Sequence, residues 1–318
     1  MIVSTTPAPF TDVHLDLPDR RVGKVRVSYR LPDDERLFVT TDRLSAFDRV
    51  VAAVPYKGQV LNELAAWWFA NTADIVANHV RGVPDPNVTI GVSATPLPVE
   101  VIVRGYITGV TSTSLWKRYA DGERLIYGYE FPDGLRQHQK LDEAIITPTT
   151  KAEGGAHDEA LTCAQVVEDG FVDAELWLRI QNAALALFGR GQEIATAAGL
   201  ILADTKYEFG LDPDGQLMII DEMHTPDSSR YWVAATHDER IANGDDPESL
   251  DKEPIRRALL DAGYRGEGDS PDLGADVAAQ TTTRYIDAFE RLTCRTFVPG
   301  VYPVEPRLID SLGKAGVL

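Results

Sequence analysis

Cysteine is scarce in this chain: Cys163 and Cys294 are the only two among 318 residues. Neither belongs to a CxxC pair, so two reduced thiols are expected rather than a zinc ribbon or a disulfide framework. Uncharged apolar runs of the roughly 20 residues that a membrane-spanning helix needs are also missing. The opening MIVSTTPAPF has no basic stretch followed by an apolar block, so no secretory signal is expected. These absences point to a cytoplasmic chain with no membrane partner. Basic residues are outnumbered, 31 Lys and Arg against 49 Asp and Glu, for a formal net charge of -18. Such a chain repels phosphate backbones at long range, which argues against nucleic-acid binding. A pocket holding a few Lys and Arg can still reverse the sign locally. A Walker A loop, a GxSxG elbow and an HExxH helix are all absent. Gly189-Arg-Gly191 has no strand before it, so it is not a dinucleotide fingerprint.

What is present suits a packed enzyme-sized fold. Apolar residues make up 44% of the chain, more than a disordered chain carries. The front reads as strands and turns. VGKVRVSYR (22–30) alternates apolar with polar side chains, RLFVTT (36–41) follows a turn, and LPVEVIVRGYI (97–107) is a further strand. Between them QVLNELAAWWFAN (59–71) has helical spacing, with Leu61, Leu64, Ala65, Trp68 and Phe69 on one side. The Pro-rich stretch 83–98 leads into the strand at 97 and is taken as a boundary region.

Residues 112–119 predict a short helix, and 173–198 a long one capped by Asp173, with a kink at Gly189 and Gly191. Residues 200–210 and 216–223 predict a hairpin around LDPDG. Helices are expected at 254–262 and 281–292. The pattern gives an α+β chain with a β-rich front and a mixed back.

The segment ADTKYEFGLDPDGQLMIIDEMHTPDSSR (203–230) carries most of the chemistry. Asp204, Lys206 and Glu208 alternate, so on a strand they share one face. If Leu211 pairs with Gln216, Lys206 lies opposite Asp221; a turn one residue longer puts Glu222 there instead. Carboxylates around a lysine suit a hard divalent cation beside a phosphoryl group. A solvated hairpin with ordinary surface charges is the plain alternative, but the apolar runs LILA and LMII imply burial.

Four more segments add candidates. GKVRVSY offers Gly23, Lys24 and Arg26 as a flap over phosphates. EVIVRGYITGVTSTS places Arg104 before a loop of hydroxyls with Ser112 and Ser114, a receptor for phosphate or carboxylate. TPTTKAEGGAHDE has turn chemistry, Lys151 and the polar pair His157 and Asp158. In TDRLSAFD, Asp42 and Asp48 read as helix caps, and His224 reads as structural.

In this order GKVRVSY, TDRLSAFD, YKGQVLNELAAWWF, EVIVRGYITG, TPTTKAEGGAHDE, ADTKYEFG and DEMHTPDSSRYW strongly resemble the SAICAR synthetase family, with DKEPIRR matching its DK-x-x-x-R element. The resemblance implies a two-lobed architecture similar to protein kinases and ATP-grasp-like enzymes. Residues 1–95 would form a β-rich lobe covering ATP. Residues 96–318 would hold the magnesium and substrate sites and the C-terminal helices.

It also implies an ATP-dependent ligase of purine biosynthesis. L-Aspartate and 5-amino-1-(5-phospho-D-ribosyl)imidazole-4-carboxylate (CAIR) would become the succinocarboxamide (SAICAR), ADP and phosphate through an acyl phosphate. By the same resemblance Lys24 and Arg26, with Gly23, would meet ATP, and Lys151 would serve its phosphates or the aspartate. Glu208 and Asp221 would hold Mg2+. Asp204 and Lys206 would be catalytic, beside the reacting carboxylate; the place of Asp204 at the end of the acidic strand face makes it the expected acceptor of the amine proton. Arg104, Arg230 and either Ser112 or Ser114 would bind the ribonucleotide, and Asp227 and Ser228 would line the same site. The chain would be a monomer or a small homo-oligomer. A kinase of related fold would need HRD and DFG motifs, which are absent.

Overall fold

The computed structural model describes residues 7–47, 49–151 and 158–318. Asp48 and His157, singled out above, lie outside them. The fold is α+β, built on two five-stranded sheets.

The first sheet contains β1 (Arg21–Val22), β2 (Arg26–Arg30) and β3 (Glu35–Thr40). A two-stranded ribbon follows, β4 (Arg43–Ala46) with β5 (Arg49–Ala53), and then the helix α1 (Lys57–Asn71). β6 (Val80–Asp85) and β7 (Val88–Val92) complete the sheet in the order β1-β2-β3-β7-β6. The stretch 83–98 is therefore largely strand. Its Pro84 lies in β6 at the sheet edge, where a missing N–H is tolerated.

Period-two alternation in β2 turns Val27 and Tyr29 into a core with Leu37 and Val39. Arg26 and Ser28 take the opposite face. α1 buries Leu61, Leu64 and Trp68 completely, as its spacing predicts. The buried Asp42 caps it from a distance, accepting from the Gly58 N–H at 2.9 Å.

The second sheet is built on β8 (Thr95–Tyr106). It is followed by α2 (Leu115–Ala120), the short pair β9 (Leu125–Ile126) and β10 (Tyr129–Glu130), and β11 (Lys140–Thr150). The TPTT segment, read above as turn, is the end of β11. α3 (Cys163–Glu168) and α4 (Ala174–Ala197) lead to β12 (Leu200–Leu211) and β13 (Leu217–Ile220). Asp173 caps α4 by accepting from the Leu176 N–H. The helix runs unbroken through Gly189 and Gly191. Gly191 is needed for close approach, since a Cβ there would lie 2.5 Å from the His224 ring.

β14 (Ser229–Val233) and α5 (Ala234–Asn243) follow, then α6 (Glu253–Asp261), α7 (Gly274–Thr293) and α8 (Val304–Lys314). α8 returns to the first sheet, where Val304, Leu308 and Leu312 join the core of Val27 and Tyr29. No helix among the described residues is long and apolar enough to cross a membrane.

β12 organises the second sheet. One of its edges pairs with β8. The other is shared, with residues 200–205 pairing with β14 and 208–211 with β13. At the break the chain leaves the sheet from Asp221 to Ser228, and Lys206 N–H donates to the Ser228 carbonyl at 2.9 Å. A β-bulge between Leu202 and Asp204 reverses which face each residue takes. Leu200 and Leu202 enter the core before it, and Tyr207 and Phe209 after it. Asp204, Lys206 and Glu208 are thereby left on the opposite face.

Candidate active site

The register of β8 against β12 assembles the polar face. Asp204 lies opposite Arg104, Lys206 opposite Ile102, and Glu208 opposite Glu100. Opposed residues project to the same side, so the alternate residues 100, 102 and 104 meet 204, 206 and 208. Their odd-numbered neighbours Val99, Val101 and Val103 are buried in the core with Tyr207 and Phe209. That apolar backing holds the charged face rigid.

The face floors a cavity of about 600 Å³. It is lined by Gly23, Lys24, Arg26, Arg104, Ser114, Lys151, Asp204, Lys206, Glu208, Asp221, Asp227, Ser228 and Arg230, all foreseen from the sequence. Ser112 is the exception and lines a neighbouring cavity. The hydroxyl at the main site is Ser114, buried, with its Oγ accepting from the Thr111 N–H at 2.9 Å. Gly109, at φ 98°, makes room for it: a Cβ there would sit 2.6 Å from Ser114 Oγ and 3.3 Å from Arg230 Nη2.

The hairpin register is the longer of the two considered, with Leu211 opposite Leu217 and Glu208 opposite Ile220. β13 ends at Ile220, and Asp221 turns away at φ 67°. Its carboxylate still reaches the site, 3.9 Å from Lys206 Nζ and paired with Arg26. Glu222 lines the cavity too, 3.5 Å from Arg26 Nη2. Both acidic residues left open by the turn length are therefore present.

Two charge clusters divide the floor. In the first, Lys206 pairs with Glu208 and, at 3.0 Å, with Glu100, while Lys151 pairs with the other oxygen of Glu208. Burial opposes the charge on Glu208, but the two ammoniums outweigh it and hold the carboxyl well below its usual range. Burial likewise opposes the Lys206 charge, and the glutamates overcome it, keeping the amine protonated far into the alkaline range. In the second, Asp204 Oδ2 lies 3.2 Å from Arg104 Nη1 and 2.6 Å from Arg230 Nη1. Thr147 Oγ1 on β11 accepts from Arg104 Nε at 2.8 Å. One carboxylate thus aligns two guanidiniums toward the loop that bears Ser114.

Glu208 and Asp221 are hard oxygen donors in a cavity that also holds Lys24, Arg26, Lys151 and Lys206, a donor set that fits magnesium beside phosphates. Among the described residues no three His, Cys, Asp or Glu side chains form a metal centre by themselves. Magnesium takes one or two carboxylates and completes its shell with phosphate oxygens and water.

Several site residues went unread in the sequence. Glu100 was legible, since it alternates with Arg104 in EVIVR as Asp204 does with Glu208. Lys252 and Arg256 also line the cavity, but nothing in DKEPIRR beyond its resemblance marks them. Lys57 is wholly buried and pairs with Asp227 at 2.7 Å. A lysine opening a helix gives no such signal.

Residues 20–271 match the family model described as SAICAR synthetase. The chain belongs to the SAICAR synthetase family. Membership places it among the ligases of purine biosynthesis. A phosphoribosylaminoimidazole-succinocarboxamide synthase of Legionella pneumophila (strain Lens) is 46% identical over 312 residues, covering 96% of this chain and 98% of the relative. The chloroplastic synthase of Arabidopsis thaliana is 43% identical over 94% of this chain and 73% of its own length. Among solved structures, the Saccharomyces cerevisiae SAICAR synthase complexed with SAICAR superposes with a TM-score of 0.77 at 32% identity. That match covers 91% of this chain and 99% of the yeast chain.

Proposed function

We propose that the chain joins L-aspartate to CAIR with ATP, forming SAICAR, ADP and phosphate through an acyl phosphate. The observation that carries this reading is the pairing of two charge clusters in one cavity. Around Lys206 converge the acidic groups Glu100, Glu208 and Asp221. Beside them stands the arginine pair aligned by Asp204. The first cluster suits a metal-bound triphosphate, the second the phosphate of a ribonucleotide.

The chemistry follows from charge. A carboxylate resists amine attack because oxide is a poor leaving group. A carboxylate oxygen of the imidazole attacks the γ-phosphorus and the bond to ADP breaks. The aspartate amine then attacks the acyl carbon, phosphate departs with the carboxylate oxygen, and the amine proton passes to solvent or a base. Lys24 and Arg26 flank the phosphates from β2 and the turn before it, and Lys151 and Lys206 offset charge on the transferring group. Glu208 and Asp221 would hold the magnesium ion, whose charge offsets that of the phosphates. Arg104, Arg230 and Ser114 bind the ribonucleotide's anionic end. Asp204, bracketed by two arginines, is assigned to holding them rather than to taking the amine proton. The lobe over ATP would be the first sheet, with α8 packed against its core.

ADP release is the test. It should require ATP, the imidazole carboxylate and aspartate together, and 18O placed in the carboxylate should appear in the released phosphate. Release driven by another acceptor without aspartate would mean a kinase instead.

A further inference from the structure

The main cavity opens into a second one of about 580 Å³. Both are lined by Ser45, Thr111, Asp158, Lys252 and Arg256 at their junction. Lys252 immediately precedes α6, at its N-cap position. Its ammonium makes no ion pair among the described residues, whereas Arg256 is held by Glu253 at 3.0 Å. The charged groups that act on Lys252 are Asp227 and Glu222, which attract it, and Arg256 and Lys57, which repel it.

Asp227 would be the natural counter-ion, but each of its oxygens already has a partner on another element. Lys57 Nζ lies 2.7 Å from Oδ2, and the Tyr285 hydroxyl donates to Oδ1 at 2.6 Å. Lys57 and Tyr285 are both fully buried, on α1 and α7 respectively. Burial holds the Tyr285 phenol well above its ordinary range, so it occupies Oδ1 as a neutral donor. Tyr285 also lies beyond the residues that the family model matches.

We propose that Lys252 is an anion receptor at the junction of the two cavities, and that Tyr285 is the positioning residue that keeps it unpaired by tying Asp227 to the far side. Burial lowers the Lys252 amine to about 8, with Arg256 and Lys57 adding to the fall and Asp227 opposing it. The charge is therefore present at neutral pH and is left for a ligand. The anion is a carboxylate or a phosphate. That it belongs to a substrate rests on the ligase reading, whereas the lack of an ion pair to Lys252 among the described residues does not.

The test uses Lys252→Met, Lys252→Arg and Tyr285→Phe in the full chain. Lys252→Met should raise the KM of one anionic substrate by about 10-fold or more, the loss of one charge-assisted hydrogen bond, with Lys252→Arg recovering much of it. A rise for aspartate identifies a carboxylate and a rise for the ribonucleotide identifies its phosphate. No rise for either overturns the receptor. Tyr285→Phe should raise the same KM, because Asp227 is then free to turn toward Lys252. Its effect should also appear without turnover. With lysines reductively methylated with 13C, the resonance missing from Lys252→Arg should titrate near pH 8 in the parent chain and about one unit higher in Tyr285→Phe. Inorganic phosphate or succinate should shift it. Identical titrations in the two proteins overturn the positioning role, even if Tyr285→Phe is less stable. A parent chain that forms no SAICAR refutes the ligase reading but leaves this titration standing.

Discussion

Asp204→Asn separates two roles for the central carboxylate. In the folded chain Asp204, Arg104 and Arg230 have side chains only 5%, 6% and 12% exposed. Asparagine keeps an acceptor oxygen but removes the charge, leaving two guanidiniums facing each other in a poorly solvated site. Removing one partner of a buried pair costs about 3–5 kcal/mol. Glu253 still lies 3.4 Å from Arg230 Nη2 and Thr147 still accepts from Arg104, which favours the lower figure, about 3 kcal/mol. Unfolding entropy near 2.1 cal/mol/K per residue over this chain gives about 0.7 kcal/mol/K, so Tm should fall by about 4–5 °C. Saturating ribonucleotide should recover much of that fall, because its anionic group replaces the missing carboxylate.

The same variant distinguishes positioning from proton transfer in steady-state assays. A positioning Asp204 predicts a raised KM for the imidazole carboxylate with kcat within about 10-fold. Loss of a general base predicts a fall of about 10²–10⁴ in kcat. An unchanged Tm would show that the carboxylate does not hold the arginines. A kcat fall beyond about 10³ with KM unaltered would refute the positioning assignment.

Asp221→Ala should abolish ATP turnover while the chain stays folded, since the Asp221 side chain is 26% exposed and outside the core; a circular-dichroism spectrum that reports unfolding would make the residue structural instead. Acid should destabilise the protein through His79 and His224, which burial holds neutral, with ring pKa values of about 4 and about 3. The unfolded chain takes up protons as pH falls through about 6.5 while the folded chain does not. The stability tied to these rings is therefore intact above that value and is lost as pH falls toward 4, by about 2 kcal/mol for each at pH 5. Melting curves between pH 7.5 and 5 should show Tm dropping by several degrees, and a flat profile would mean the rings are hydrated in solution.

The readable parts of this protein were those governed by local periodicity. Val27 and Tyr29 alternate with Arg26 and Ser28, and a half-buried strand follows. Asp173 stands before a helical pattern and caps it. The face shared by Asp204, Lys206 and Glu208 follows from period two alone. What stayed hidden depends on contacts between distant segments. Lys57 looks like a solvated helix start until α7 and the Asp227 turn close over it. The hairpin register could not be settled by LDPDG, because both pairings satisfy the turn and only packing of Leu217 and Ile219 against the core selects one. α8 carries a clear apolar stripe, yet its partner is the first sheet, far away in sequence.

A chain with net charge -18 that serves several anions needs its cations sheltered, and the arrangement of counter-ions shows how. Arg26, Arg104, Lys151, Lys206 and Arg230 each meet a carboxylate of the same cavity. The cationic side chains are thereby held in place before any ligand arrives, at the expense of part of their attraction for it. A phosphate would have to compete with those carboxylates, and a magnesium ion held as proposed would have to compete with the ammoniums for Glu208. The two ligands would then help each other: metal at Glu208 and Asp221 would free Lys206, Lys151 and Arg26 for phosphate, and phosphate at those cations would free the acids for metal. Reciprocity of binding free energies then requires that magnesium tighten ATP and ATP tighten magnesium by the same factor. Lys206→Met should diminish that mutual factor in calorimetric titrations, because one shared member of both exchanges is gone. Equal coupling in the variant and the parent would show that the ion pairs around Lys206 persist in the bound state, and that the cavity binds its anions by some other rearrangement.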